Sequence, residues 1–141
     1  MSKIILGINS NHADSSACII VNGKIVAAAE EERFNRVKHW AGFPENSISF
    51  CLKDSGINFK DIDEVAINTN PISNFGPKIF YFIKNYILGK KKLEIFKRYK
   101  NKFNLKLTLK EKFGSNEKLK IRYIDHHLSH ISSAFYPSGF E

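Results

Sequence analysis

The sequence predicts an α/β fold, and three observations carry that prediction. Asn22-Gly23 sits between the apolar runs "SSACIIV" and "KIVAAA". That pair is the strongest short-range signal for a hairpin with a type I′ turn, which needs φ > 0 at both central residues. The apolar period then changes in "PENSISFCLKDSG", where Ile48, Cys51 and Leu52 fall at i, i+3 and i+4. Short β-rich runs return at 64–68 and 119–124, separated by helical patterns, so the order reads βββ-α-β-αα-β-α.

"KIILGINS" supplies the first strand, at 3–9, and the runs around Asn22-Gly23 supply strands at 16–21 and 24–30. The three form an antiparallel meander. A helix follows at 44–55, with Pro44 suited to its first turn and Gly56 to its C′ stop. "DIDEVAINTNP" reads as a short buried strand at 64–68, closed by Pro71. From 77 to about 113 the pattern is helical, aromatic and basic, broken near Gly89 and "KKK". "GSNEK" is a turn, "LKIRYI" a strand, and "HHLSHISSAFY" a helix ending near Pro137.

Composition narrows the function classes. The 141 residues are 43% hydrophobic and 26% charged, enough to bury a core. No apolar run reaches the roughly 18–20 residues of a membrane span. Cys18 and Cys51 lie in apolar patterns and read as reduced core thiols of a cytoplasmic protein. The net charge of +8 is unevenly spread: residues 78–122 carry a net +12, and the remainder is mildly acidic. Lysines interleaved with Phe and Tyr would suit a nucleic-acid surface. The aromatics recur at helical spacing, however, which puts them in a core and the lysines on a solvated face, and argues against nucleic acid as the partner.

Three constellations carry chemistry. "INSNHADSSA" packs Asn9, Ser10, Asn11, His12, Asp14 and Ser16 into a tight connection between two apolar strands. Small polar residues there leave N–H groups and hydroxyls free to face a ligand, commonly a phosphate. "EEERFNRVKHW" sets Glu30, Glu31 and Glu32 against Arg33, Arg36 and Lys38, and a solvated, ion-paired junction accounts for most of them. Arg36, Lys38 and His39 can still donate to a phosphate or oxyanion if this loop folds over a site. In "DHHLSH", a helix would place His126 and His130 on one face, close enough for two imidazoles to share a metal ion. His127 would be turned about 100° away. A helix capped by Asp125 with surface histidines explains the same six residues.

Together, "ILGINSNHADSSACIIVNGKIVAAAEEERFNRVKHWAGFP" and "DHHLSHISSAFYPSGF" resemble the N-terminal part of the O-carbamoyltransferases of the NodU/CmcH type. These enzymes build nodulation factors and carbamoylated antibiotics. The resemblance covers 1–70 and 119–141. It implies an actin-like (ribonuclease H-like) half-domain, a single lobe over 1–141 with a basic helical insertion at about 77–118. In the family a second actin-like lobe and a YrdC-like domain follow. The latter makes carbamoyl-adenylate from ATP and carbamoyl phosphate, and the first domain passes the carbamoyl group to a hydroxyl of a small-molecule or sugar acceptor.

Carried onto this sequence, the resemblance makes His126 and His130 ligands of a divalent metal, Fe2+, whose carboxylate ligand lies downstream. It makes His12 and His39 catalytic, bordering the acceptor and the carbamoyl-adenylate. Asn9, Ser10, Asn11, Asp14, Ser16, Arg36 and Lys38 would line the substrate and nucleotide site. The sequence departs from the family where Ala13 separates His12 from Asp14, which are often adjacent in the family. The expectation is an N-terminal fragment or subunit, incomplete alone, that partners the downstream half of the enzyme. Two other readings stay open: a non-catalytic actin-like partner module, and a basic nucleic-acid-binding protein.

Overall fold

The computed structural model describes residues 2–68 and 105–139. The helices expected between 77 and 104 lie outside the described residues. Five strands form one mixed sheet: β1 (Ile4–Asn9), β2 (Ser16–Val21), β3 (Lys24–Glu30), β4 (Glu64–Ile67) and β5 (Lys120–Tyr123). Their order across the sheet is β3-β2-β1-β4-β5. The meander β1-β2-β3 is antiparallel, and β4 and β5 continue the sheet parallel to β1. Asn22 and Gly23 both have positive φ, 51° and 81°, as the type I′ turn demands. A register shift between Ile19 and Ile20 was not visible in the sequence.

Alternation puts one face of the sheet into the core. Leu6 and Ile8 of β1 stand beside Ile19 and Ala17 of β2 and Val65 and Ile67 of β4, all buried. The helix α2 (Glu45–Ser55) covers this face with Ile48 and Cys51. Leu6, Ile19, Ile48, Ile62 and Val65 are fully buried, and each contributes roughly 1.5–3 kcal/mol of apolar burial. Helix α3 (Leu105–Phe113) adds Leu105 and Leu109 to the same core, and its Phe113 ring lies 5.6 Å from that of Phe59. The end of the basic segment is therefore part of the core.

Two acidic residues tie the sheet together. Asp63 accepts from the Ile4 N–H at 2.9 Å, fixing β4 against the start of β1. Glu64, with its side chain only 8% exposed, pairs with Lys3 at 3.2 Å and with Arg122 of β5. These contacts hold both carboxyls below their ordinary range: the Ile4 N–H is the main cause for Asp63 and the Arg122 guanidinium for Glu64.

The solvated junction expected at Glu30–Lys38 is corrected at Glu31. A one-turn helix, α1 (Glu32–Asn35), occupies the stretch, and Glu31 before it is 2% exposed. Its carboxylate reaches the first turn of α2. There it accepts from Asn46 N and Nδ2 at 3.2 and 2.6 Å, and from Ser47 N and Oγ at 2.9 and 2.8 Å. The first amides of a helix lack intrahelical acceptors. No capping side chain precedes α2, whose N-cap is Pro44, so Glu31 fills that role from a distance. Among the described residues no ion pair joins Glu30, Glu31 or Glu32 to Arg33, Arg36 or Lys38.

Candidate functional site

The candidate site forms at the C-terminal ends of the parallel strands β1, β4 and β5, where open α/β sheets place their ligands. Three segments meet there: the β1–β2 loop, the loop from α1 to α2, and the start of helix α4 (His126–Ser138).

The β1–β2 loop is held from within and from outside. Asn9 Nδ2 donates to the carbonyls of Ala13 and Asp14 at 3.1 and 2.8 Å. Asn68, just past β4, donates to Asn9 Oδ1 at 3.0 Å and joins the ends of the two parallel strands. Buried Ser15 donates its hydroxyl to His12 O and Gly42 O. Backbone bonds from Asn11 N to Gly42 O and from Ser15 N to Trp40 O bind the loop to the α1–α2 connection. Among the described residues, four of the five non-glycine residues with positive φ lie in these two loops: Asn11, Asp14, Arg36 and His39. Each such conformation costs of order 1 kcal/mol and persists only where surrounding bonds enforce it, which is typical of functional loops.

The histidines divide into two groups. His39 Nδ1 lies 2.9 Å from Asp14 Oδ1, with the two side chains 75% and 55% exposed. The hydrogen bond to Asp14 raises the His39 pKa, and the charge of Asp14 adds to it. The second group centres on α4. Asp125 caps this helix, accepting from the N–H groups of His127 and Leu128 at 2.9 and 3.2 Å. The cap and the histidine pair, read as alternatives in the sequence, coexist. His126 and His130 bring their Nε2 atoms to 3.1 Å, and the His12 ring centroid lies 5.0 Å from that of His126. His127 sits to the side, its ring centroid 5.9 Å from that of His126. Desolvation pulls the His126 pKa down, with further contributions from His130, His12 and His127. That favours the neutral imidazole, the form that ligates metals.

The His126–His130 pair fits a shared ion. Two imidazole nitrogens each about 2.0–2.1 Å from one ion, at angles between square and tetrahedral, stand about 2.9–3.4 Å apart. Among the described residues no set of three or more His, Cys, Asp or Glu side chains converges on such a point. On its own the pair would supply two donors, fewer than a closed metal site needs.

The remaining sequence candidates are distributed unevenly. Ser10 is buried and accepts from Asn11 Nδ2, and Ser16 opens β2. Arg36 closes α1 in a left-handed conformation, and Lys38 is exposed in the same loop as His39. Sequence reasoning did not name Asn68, Trp40 or Gly42, which position the first loop. Asn68 had a usable signal, a polar residue directly after a buried strand. The roles of Trp40 and Gly42 run through backbone carbonyls, which carry no side-chain signature.

A family described as the carbamoyltransferase N-terminus matches residues 4–141, including the basic segment. An uncharacterized protein of Synechocystis is 33% identical over 145 residues, covering 97% of this chain and 24% of that protein. The nodulation protein NolNO of Sinorhizobium fredii is 34% identical over 130 residues, covering 91% of this chain and 18% of its own length. An uncharacterized 19.2 kDa protein of Rhizobium etli is 41% identical over 58 residues, covering 41% of this chain and 34% of its own. The chain spans a quarter or less of the two relatives that it matches along most of its length.

Proposed function

The chain belongs to the carbamoyltransferase N-terminal family, and from that premise we propose that it forms the acceptor-side lobe of an enzyme carbamoylating a hydroxyl of a small molecule or sugar. The donor is carbamoyl-adenylate, made from ATP and carbamoyl phosphate by the downstream half of the enzyme in the cytoplasm. The antiparallel meander extended by two parallel strands supports an actin-like lobe. The observation that carries the reading is the convergence of His12 with His126 and His130 across the ends of β1 and β5.

In this reading His12 accepts the proton of the acceptor hydroxyl as its oxygen bonds to the carbamoyl carbon. The bond from that carbon to the adenylate phosphate oxygen breaks, and AMP leaves. Arg36, Lys38 and His39 face the departing phosphate from the α1–α2 loop, where cationic donors stabilise the charge that develops. Asn9, Asn11 and the first-loop amides orient the acceptor and nucleotide. His126 and His130 would hold a divalent ion, Fe2+, which when bound supplies Lewis acidity toward a carbonyl or phosphate oxygen.

The test uses the chain assembled with the downstream half of the enzyme, with [14C]carbamoyl phosphate, ATP and a pool of polyhydroxylated acceptors. Label should enter an acceptor only when ATP is present, and His12→Ala should abolish that transfer while carbamoyl-adenylate still forms. Equal transfer by wild type and His12→Ala would overturn the assignment.

A further inference from the structure

We infer that Asp14 is the positioning residue of His39: it accepts the imidazole Nδ1–H, so that Nε2 is the edge His39 offers to substrate. What His39 addresses rests on the carbamoyltransferase reading; the pairing does not. Three observations carry it. The Nδ1–Oδ1 separation is 2.9 Å, within ordinary hydrogen-bonding range, and Nε2 has no partner among the described residues. The pair spans two loops that are bonded together on the near side of each partner, through Ser15 N to Trp40 O and Ser15 Oγ to Gly42 O. Both residues adopt left-handed backbone, φ 61° at Asp14 and 53° at His39, a conformation aspartate and histidine accept more readily than most residues.

Stability does not explain this arrangement. An exposed ion pair contributes little, while two left-handed residues cost free energy. The contrast with His12 is informative. Among the described residues, His12 Nδ1 meets only the carbonyl of its own neighbour Ala13, at 3.4 Å, and its ring lies against His126. Two histidines in one site thus have different equipment. His39 is held by a carboxylate, as in arrangements where a second group fixes a histidine's tautomer and orientation. A carboxylate on Nδ1 also favours the imidazolium, so His39 acts as a donor to an anionic group rather than as a proton acceptor. Glu32 adds a weaker acidic influence on His39, and Lys38 and Arg36 are the charged neighbours in its own loop.

Ring-nitrogen NMR on the chain itself decides the matter. In wild type the neutral His39 ring should carry its proton on Nδ1, the minor tautomer of free histidine, and should titrate above an ordinary histidine. Asp14→Asn keeps the left-handed backbone and an acceptor but removes the charge, so the His39 midpoint should fall while the tautomer is kept. Asp14→Ala should return the ring to the Nε2–H tautomer. A wild-type His39 ring in the Nε2–H form would overturn the inference outright, with no variant needed. So would unchanged His39 tautomer and midpoint in both variants. None of these readouts depends on carbamoyl transfer, so the inference and the enzymatic reading can fail separately.

Discussion

Replacing Glu31 with alanine should destabilise the fold by about 3 kcal/mol, because it strips a buried acceptor from two donors that have no other among the described residues. Ser47 is fully buried, and its N–H and hydroxyl both end on Glu31 Oε2. A buried polar group left without a partner costs about 1–3 kcal/mol, so two give about 2–6. Asn46 is exposed and can turn its two donors to water, so it adds little. Removing a buried carboxylate also relieves its desolvation, which brings the sum into the lower half of that range, about 3 kcal/mol. Glu31→Gln keeps one acceptor oxygen and should fall between alanine and wild type. Urea unfolding measures this: with a slope of about 1–3 kcal/mol/M, the alanine variant should unfold at roughly 1–3 M less urea. Glu30→Gln and Glu32→Gln, which break no capping contact, should stay within about 0.5 kcal/mol of wild type. If Glu31→Ala were indistinguishable from those two neighbours, the capping role would be refuted.

Two further tests probe the sheet. Gly7 stands opposite Cys18, and a Cβ at Gly7 would lie 2.7 Å from Cys18 Sγ; Gly7→Ala should cost about 1–3 kcal/mol through overpacking. Much of that loss should disappear in a Cys18→Ala background, and simple additivity by thermal unfolding would contradict the contact. Asp63 and Glu64 titrate lower in the folded chain than their unfolded values of about 3.9 and 4.3. The stability they contribute is therefore full above those values and is lost as pH falls through the folded ones. Asp63→Asn should flatten the acid limb of the stability curve, and an unchanged limb would show that Ile4 does not hold this carboxyl.

Much of the fold was legible because its signals are local. Asn22-Gly23 admits few alternatives, and the strands on either side begin and end where their apolar runs do. Helix α2 begins one residue after Pro44 and stops at Gly56 with φ 67°. Helix α4 runs through the expected stop at Pro137 to Ser138, where Gly139 turns left-handed. What stayed hidden depends on distant pairing. The position of β4 between β1 and β5 has no local signature. Neither does the cap that Glu31 supplies to residues 15 and 16 positions away. The same division holds at the site. The spacing of His126 and His130 announced one helix face, but nothing local revealed that Asp14 would meet His39 across 25 residues, or that His12 would reach His126.

Anaerobic titration calorimetry with Fe2+ on the assembled protein tests whether His126 and His130 hold a metal ion, as proposed. One ion should bind per chain. His126→Ala and His130→Ala should each weaken it at least about tenfold, or 1.4 kcal/mol, and His127→Ala should leave it unchanged. Equal affinity in wild type and in both ligand variants would contradict the account.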